Sequence, residues 1–109
     1  MIHFMKLQPS PFESIKSGDK KIEMRLNDQK RKLICAGDLI CFTNMKTGEQ
    51  LEVKVIDKVL FKDFEQLYKC YDKTLLGYKP DETANPNDML EYYPISEVEE
   101  HGVLAIILE

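Results

Sequence analysis

Charged and apolar residues alternate strictly over residues 21–26, where Lys21, Glu23 and Arg25 interleave with Ile22, Met24 and Leu26. A period of two separates the sets onto opposite faces, which predicts a strand with one buried side and three charges projecting from the other. Ahead of it, Ser10-Pro11-Phe12-Glu13 sets a capping serine, a proline at the first helical position and a glutamate three residues past the cap, with Gly18 as the stop. That spacing predicts a short helix over 11–17. Residues 27–34 are polar and basic, with room for a helical turn, and Gly37-Asp38 opens an apolar strand over 39–44.

Met45 to Gly48 then turns the chain into a second strand over 50–60, so the two form a hairpin. Leu51, Val53 and Val55 alternate in it until Ile56 breaks phase, which points to a bulge. Phe61, Phe64, Leu67, Tyr68 and Tyr71 recur at helical spacing, predicting an amphipathic helix over 62–70 whose aromatic stripe faces the core. A loop containing Gly77 and Pro80 follows over 73–84. Asn85-Pro86 starts a short helix through Tyr92, and Ser96-Glu97-Val98-Glu99 reads as a capping box for another turn ending at Gly102. The unbroken apolar run 103–108 is a strand buried on both sides or closing a small barrel.

With 43% hydrophobic and 31% charged residues, 109 residues supply one core, and one domain over 1–109 is expected. No run reaches the roughly 20 apolar residues of a membrane span, and the start lacks the charged-then-apolar order of a signal sequence. Neither a membrane anchor nor export is expected. Cys35, Cys41 and Cys70 are odd in number and lack CxxC spacing, so they read as reduced thiols of a cytoplasmic protein. The two histidines, His3 and His101, fit no zinc spacing, and no phosphate loop, dinucleotide fingerprint or serine-nucleophile motif occurs. No metal and no cofactor is expected.

The net charge of −4 argues against nonspecific coating of nucleic acid, which needs an excess of cations. Its distribution is uneven. Residues 16–32 hold seven basic and three acidic side chains, +4 in sum, which leaves −8 for the remainder. Residues 81–109 hold eight carboxylates and no Lys or Arg. This split suggests a basic face for an anionic ligand and an acidic C-terminal third open to a protein partner; an ordinary solvated surface is the alternative.

Gly18-Asp19-Lys20-Lys21-Ile22-Glu23-Met24-Arg25 forms a G-x-K-x-x-E-x-R string leading from a helix stop into a strand. Pro11-Phe12 and Ile15-Lys16-Ser17-Gly18 precede it, and Gly37-Asp38, the hairpin, the helical insertion and the Gly102-Val103 closing strand follow in order. In these features nearly the whole chain resembles the ASCH domain family of the PUA-like superfamily. Phe42-Thr43-Asn44 and Tyr92-Tyr93 look like the small bacterial single-domain members. The resemblance implies an α+β fold, a PUA-like small mixed β-barrel with flanking short helices and a cleft beside the G-x-K-x-x-E-x-R strand. It further implies an RNA-binding or nucleotide-binding module whose ligand is short or modified RNA, or a modified nucleoside.

The residues suit that task. Arg25 and Lys20 or Lys21 can hold a phosphate or a base edge, and Glu23 can orient an arginine or accept from an amino group. A purely structural Glu23–Arg25 ion pair is the competing reading. Thr43, Asn44 and Tyr93 are expected to line the cleft, with one of Tyr92 and Tyr93 packed inward and the other free to stack on a base. Hydrolysis is the alternative function, with Lys20 and Glu23 as catalytic residues. One branch of the superfamily deacetylates N4-acetylcytidine with a lysine, a threonine and a glutamate; Lys20 matches the lysine, but Glu23 stands in the threonine's place. A ribonuclease would instead use Glu23 on the 2′-OH, with Lys20 and Arg25 stabilising the phosphorane.

Overall fold

In the computed structural model, which describes residues 1–109, the chain runs through β1 (Ile2–Leu7), α1 (Pro9–Ser17), β2 (Ile22–Leu26), α2 (Gln29–Lys32) and β3 (Leu39–Asn44). It continues through β4 (Gln50–Phe61), α3 (Phe64–Cys70), a 3₁₀ turn (Pro86–Glu91), α4 (Ile95–His101) and β5 (Val103–Leu108). The strands form one curled half-barrel sheet in the order β1-β3-β4-β5-β2, with short helices around it, as expected for the α+β barrel. The β1–β3 pair is parallel and the other pairs are antiparallel, and the strand order leaves β1 and β2 as the two free edges.

β5 holds the sheet together. Leu104, Ile106 and Leu108 pack with Phe12 and Ile15 of α1 and with Ile40, Phe42 and Val55 inside the curl. Val103 and Ala105 point the other way, toward Phe64 and Leu67 of α3 and Val98 of α4. Its unbroken apolar sequence thus serves two cores, one on each face. The hairpin of β3 and β4 and the slip in register between Val55 and Asp57 agree with the sequence pattern. No helix is long and apolar enough to cross a membrane.

Several local expectations are corrected. The sequence pattern does not reveal β1, because its exposed positions include Ile2 and Phe4 while buried His3 breaks the apolar set. α1 begins at Pro9, not Pro11: Phe12 N donates to the carbonyl of Gln8, and the first turn accepts two prolines because its N–H groups have no helical partner. The capping box at Ser96 does not form. Pro94 precedes the helix instead, its carbonyl accepting from Glu97 N and Val98 N, which leaves Ser96 within the first turn. The turn at Asn85 is capped as expected, Asn85 accepting from Asn87 N, but it is 3₁₀.

β2 departs most from expectation, being buried on both faces. Glu23 sits opposite Ile106 and Arg25 opposite Leu104, so both share the face of the inner core at the sheet's free edge. The charges do not project into solvent. They fill the seam where the half-barrel stays open.

Candidate functional site

Gly18 ends α1 in a left-handed conformation, and Lys20 N then donates to the Ser14 carbonyl, which folds the chain back before β2 starts. Lys20 is consequently 8% exposed, a low value for a lysine. The loop from 73 to 93 covers its stem at Gly77, whose φ is +106° and where a Cβ would lie 3.1 Å from Lys20 Cδ. The tip of Lys20 is directed at Glu23, with Nζ to Oε1 at 3.1 Å. The other carboxylate oxygen accepts from Arg25 Nε at 2.9 Å, and Arg25 Nη2 lies 2.8 Å from it as an ion pair. Arg25 Nη2 also donates to the carbonyl of Lys6 on β1, 3.1 Å away.

Two cations therefore hold one buried carboxylate, a +1 triad at the seam between the sheet edges. Burial alone would push the Glu23 carboxyl up; the charges of Lys20 and then Arg25, with their hydrogen bonds, outweigh it and hold it below its ordinary value. Burial alone would pull the Arg25 guanidinium down, but Glu23 first and then Tyr93 raise it. Both groups stay ionised at neutral pH. Lys20 directs one of its three donors at Glu23, so donors remain for a ligand.

The triad floors a cleft of about 440 Å³. One wall carries Lys6 and Gln8 from β1 and the start of α1, and the other carries Leu76, Tyr78, Met89 and Tyr92. That second wall is pinned by a directed chain of hydroxyls. An ionised Asp88 can only accept, so Tyr78 donates to it at 2.8 Å and receives the hydrogen of Tyr68 at 2.9 Å. Burial raises both phenols above their ordinary value.

The free edge of β2 adds main-chain groups. Leu108 N donates to the Lys21 carbonyl and Asn27 N to the Gly102 carbonyl, which sets the phase of pairing with β5. Met24 therefore turns its N–H and C=O away from β5, and Met24 lines the cleft.

The structure brings Lys20, Glu23, Arg25 and Tyr93 together here. Tyr93 stacks on Phe64, ring centroids 5.9 Å apart and planes at 23°, so it packs inward while Tyr92 stays 66% exposed. The other expected residues lie elsewhere. Lys21 folds back beside Gly18. Asn44 is buried in the hairpin turn, its Oδ1 accepting from Lys46 N and Thr47 N. Thr43 lines a neighbouring pocket with Arg25. Sequence reasoning missed Gly77, Tyr78 and Asp88, and gave Tyr68 to the core stripe; the loop that carries the first three has no periodicity to reveal them. His3 pairs with Asp38 at 2.8 Å, away from the cleft, and no cluster of three His, Cys, Asp or Glu side chains could hold a metal ion.

The family model described as ASCH domain matches residues 5–106. The crystal structure of the hypothetical protein PH0355 is similar at 30% identity and a TM-score of 0.84, over 100% of this chain and 98% of that one. The solution structure of PF0455 from Pyrococcus furiosus is similar at 31% identity and a TM-score of 0.72, over 100% and 96%. The crystal structure of ASCH from Zymomonas mobilis shares the fold at 16% identity and a TM-score of 0.71, over 99% of this chain and 66% of that one. A search of curated proteins gave no match.

Proposed function

The chain belongs to the ASCH domain family, which is generally linked to RNA binding, and from that premise we propose that its cleft recognises one nucleobase of a short or modified RNA, or the corresponding free nucleotide. The buried Lys20–Glu23–Arg25 triad on the floor of the cleft carries this reading. Burying three charges is unfavourable, and an apolar set of similar volume would hold the seam as well or better. Ionised groups kept at the bottom of a cleft, with donors left over, point to a ligand rich in acceptors.

The dimensions agree with a single base. A cleft of about 440 Å³ lies in the range of small-molecule sites and is too small for an extended strand. The edge of a base presents adjacent donors and acceptors. Met24 N–H and C=O can pair with such an edge, while Lys20 and Arg25 donate to its carbonyl or ring nitrogen. Tyr92, exposed at the rim, offers a face for stacking, in place of Tyr93.

Hydrolysis is less well supported. A general base needs a free oxygen and enough basicity to take a proton, whereas both Glu23 oxygens are engaged and its carboxyl is held below its ordinary value. The test is an amide-shift titration of labelled protein with nucleosides, N4-acetylcytidine and short single-stranded RNAs. Shifts clustering at residues 20–25 and 92 support the reading, and a panel that leaves them unmoved removes it. Mass spectrometry of the same mixtures should find no product at stoichiometric protein; a deacetylated or cleaved product would favour the hydrolase.

A further inference from the structure

Beside the cleft lies a second pocket of about 360 Å³, lined by Lys6, Arg25, Lys30, Arg31, Phe4 and Thr43 among others. It carries four cationic side chains and no carboxylate, in a protein of net charge −4. Lys6 and Arg25 line both pockets, so the two are contiguous. We infer that this basic pocket takes the phosphate of the nucleotide whose base occupies the cleft, so that the preferred ligand is a nucleotide or RNA strand and not a free nucleoside. The inference rests on the nucleobase reading of the cleft and adds the part of the ligand that the cleft leaves out.

Geometry supports an acceptor arriving there. The Arg31 guanidinium uses Nη1 on Asp28 Oδ2 at 3.0 Å, while its Nε is buried with no hydrogen-bond partner at all. That nitrogen is closed to solvent, so a ligand would meet the guanidinium at its terminal nitrogens, and phosphate oxygens fit that fork. Glu23 and Asp28 each partner one of the two arginines, which leaves Lys6 and Lys30 as uncompensated charges on an exposed rim. Thr43 adds a hydroxyl donor. Phe4, 61% exposed, gives the neighbouring base a surface to stack on.

The chain order explains how these residues meet. Arg25 is the last but one residue of its strand, α2 begins three residues after Leu26, and Asp28 caps α2 by accepting from Arg31 N. That cap returns Lys30 and Arg31 toward β1, where Phe4 and Lys6 alternate outward. Only part of the basic segment 16–32 contributes: Lys16 pairs instead with Glu49.

The test compares the four common nucleosides and N4-acetylcytidine with their 5′- and 3′-monophosphates, by amide-shift titration of the wild type and of Lys30→Ala and Arg31→Met. The Asp28 cap accepts from the main chain, so both variants should fold, which circular dichroism checks. Monophosphates should bind the wild type about tenfold tighter than their nucleosides and shift residues 30, 31 and 43. Each variant should lose most of that gain while keeping nucleoside affinity, and the wild type's preference for monophosphates should shrink as salt screens the phosphate. Equal affinity of nucleosides and monophosphates, with shifts confined to residues 20–25, would overturn the phosphate pocket and leave the base cleft intact. No shift at residues 20–25 with any compound would instead overturn the cleft reading, and the two-part ligand with it.

Discussion

Arg25 on one edge strand donates through Nη2 to the main-chain carbonyl of Lys6 on the other, 3.1 Å away. No backbone ladder joins β1 to β2, so this guanidinium bridges the seam that the sheet leaves open. The same side chain neutralises Glu23 and borders both pockets. One residue thus ties the closure of the fold to the chemistry of the site.

Arg25→Ala should therefore weaken the fold as well as the site. It leaves Glu23 buried with Lys20 alone and removes the bridge to β1, and breaking a buried pair from one side typically costs about 3–5 kcal/mol. Urea unfolding should show a loss near the lower figure, because Lys20 still compensates the carboxylate. A variant of unchanged stability would mean that Arg25 is held by the fold without holding it. Arg25→Ala is for this reason a poor probe of binding, and Tyr92→Ala is a better one: Tyr92 is exposed and should lose stacking affinity with its midpoint of unfolding unchanged.

The G-x-K-x-x-E-x-R string was enough to locate the floor of the cleft, because Lys20, Glu23 and Arg25 lie within six residues and their geometry is local. Burial was not legible. Alternation in 21–26 reads as a half-exposed strand, and only the unanticipated β1 with the 73–93 loop shows the charged face to be enclosed. Asn44 carried a signal in the turn that follows it, since an asparagine before such a turn tends to cap its amides, as it does here. The walls depend on contacts distant in sequence. Tyr78 and Asp88 meet ten residues apart through a hydroxyl, which no periodicity announces.

Gly77→Ala tests how closely the loop must approach. At φ +106° a side chain is strained in itself, and its Cβ would press on Lys20 Cδ at 3.1 Å. The variant should lose roughly 1–2 kcal/mol in denaturant unfolding, the usual range for such backbone strain. Lys20 should also shift from Glu23, which a change in the amide resonances of residues 20–25 would report. Normal stability with unmoved resonances would show that the loop relaxes freely.

Tyr78→Phe should loosen the wall without touching the floor. It removes the acceptor of Tyr68 and the donor to Asp88 together, each worth roughly 1 kcal/mol. Because the folded state raises both phenols, the wild type should keep this stability below about pH 10 and lose it as the pH rises further. Melting curves from pH 8 to 11 should thus fall more steeply for the wild type than for Tyr78→Phe. Parallel curves would mean that the Tyr78 phenol titrates alike in the folded and unfolded chain.

Asp38 governs the acid end. It accepts from His3 Nε2 at 2.8 Å, from Cys35 N at 3.0 Å and from the N-terminal ammonium at 3.4 Å, joining the start of β1 to the entry of β3. The hydrogen bond from His3, followed by that from Cys35 N, lowers its carboxyl from 3.8 to about 2. A carboxylate lowered in the folded state stabilises fully above its unfolded value and loses that contribution as the pH falls through the folded one. The gap in melting temperature between wild type and Asp38→Asn should accordingly be constant above about pH 4 and close between pH 4 and 2. Glu23 is also held low and steepens the acid loss of both proteins, so the gap and not the absolute curve isolates Asp38. A gap that persists at pH 2 would show that asparagine fails for reasons of shape, and that the charge on Asp38 is not what fastens β1 to the sheet.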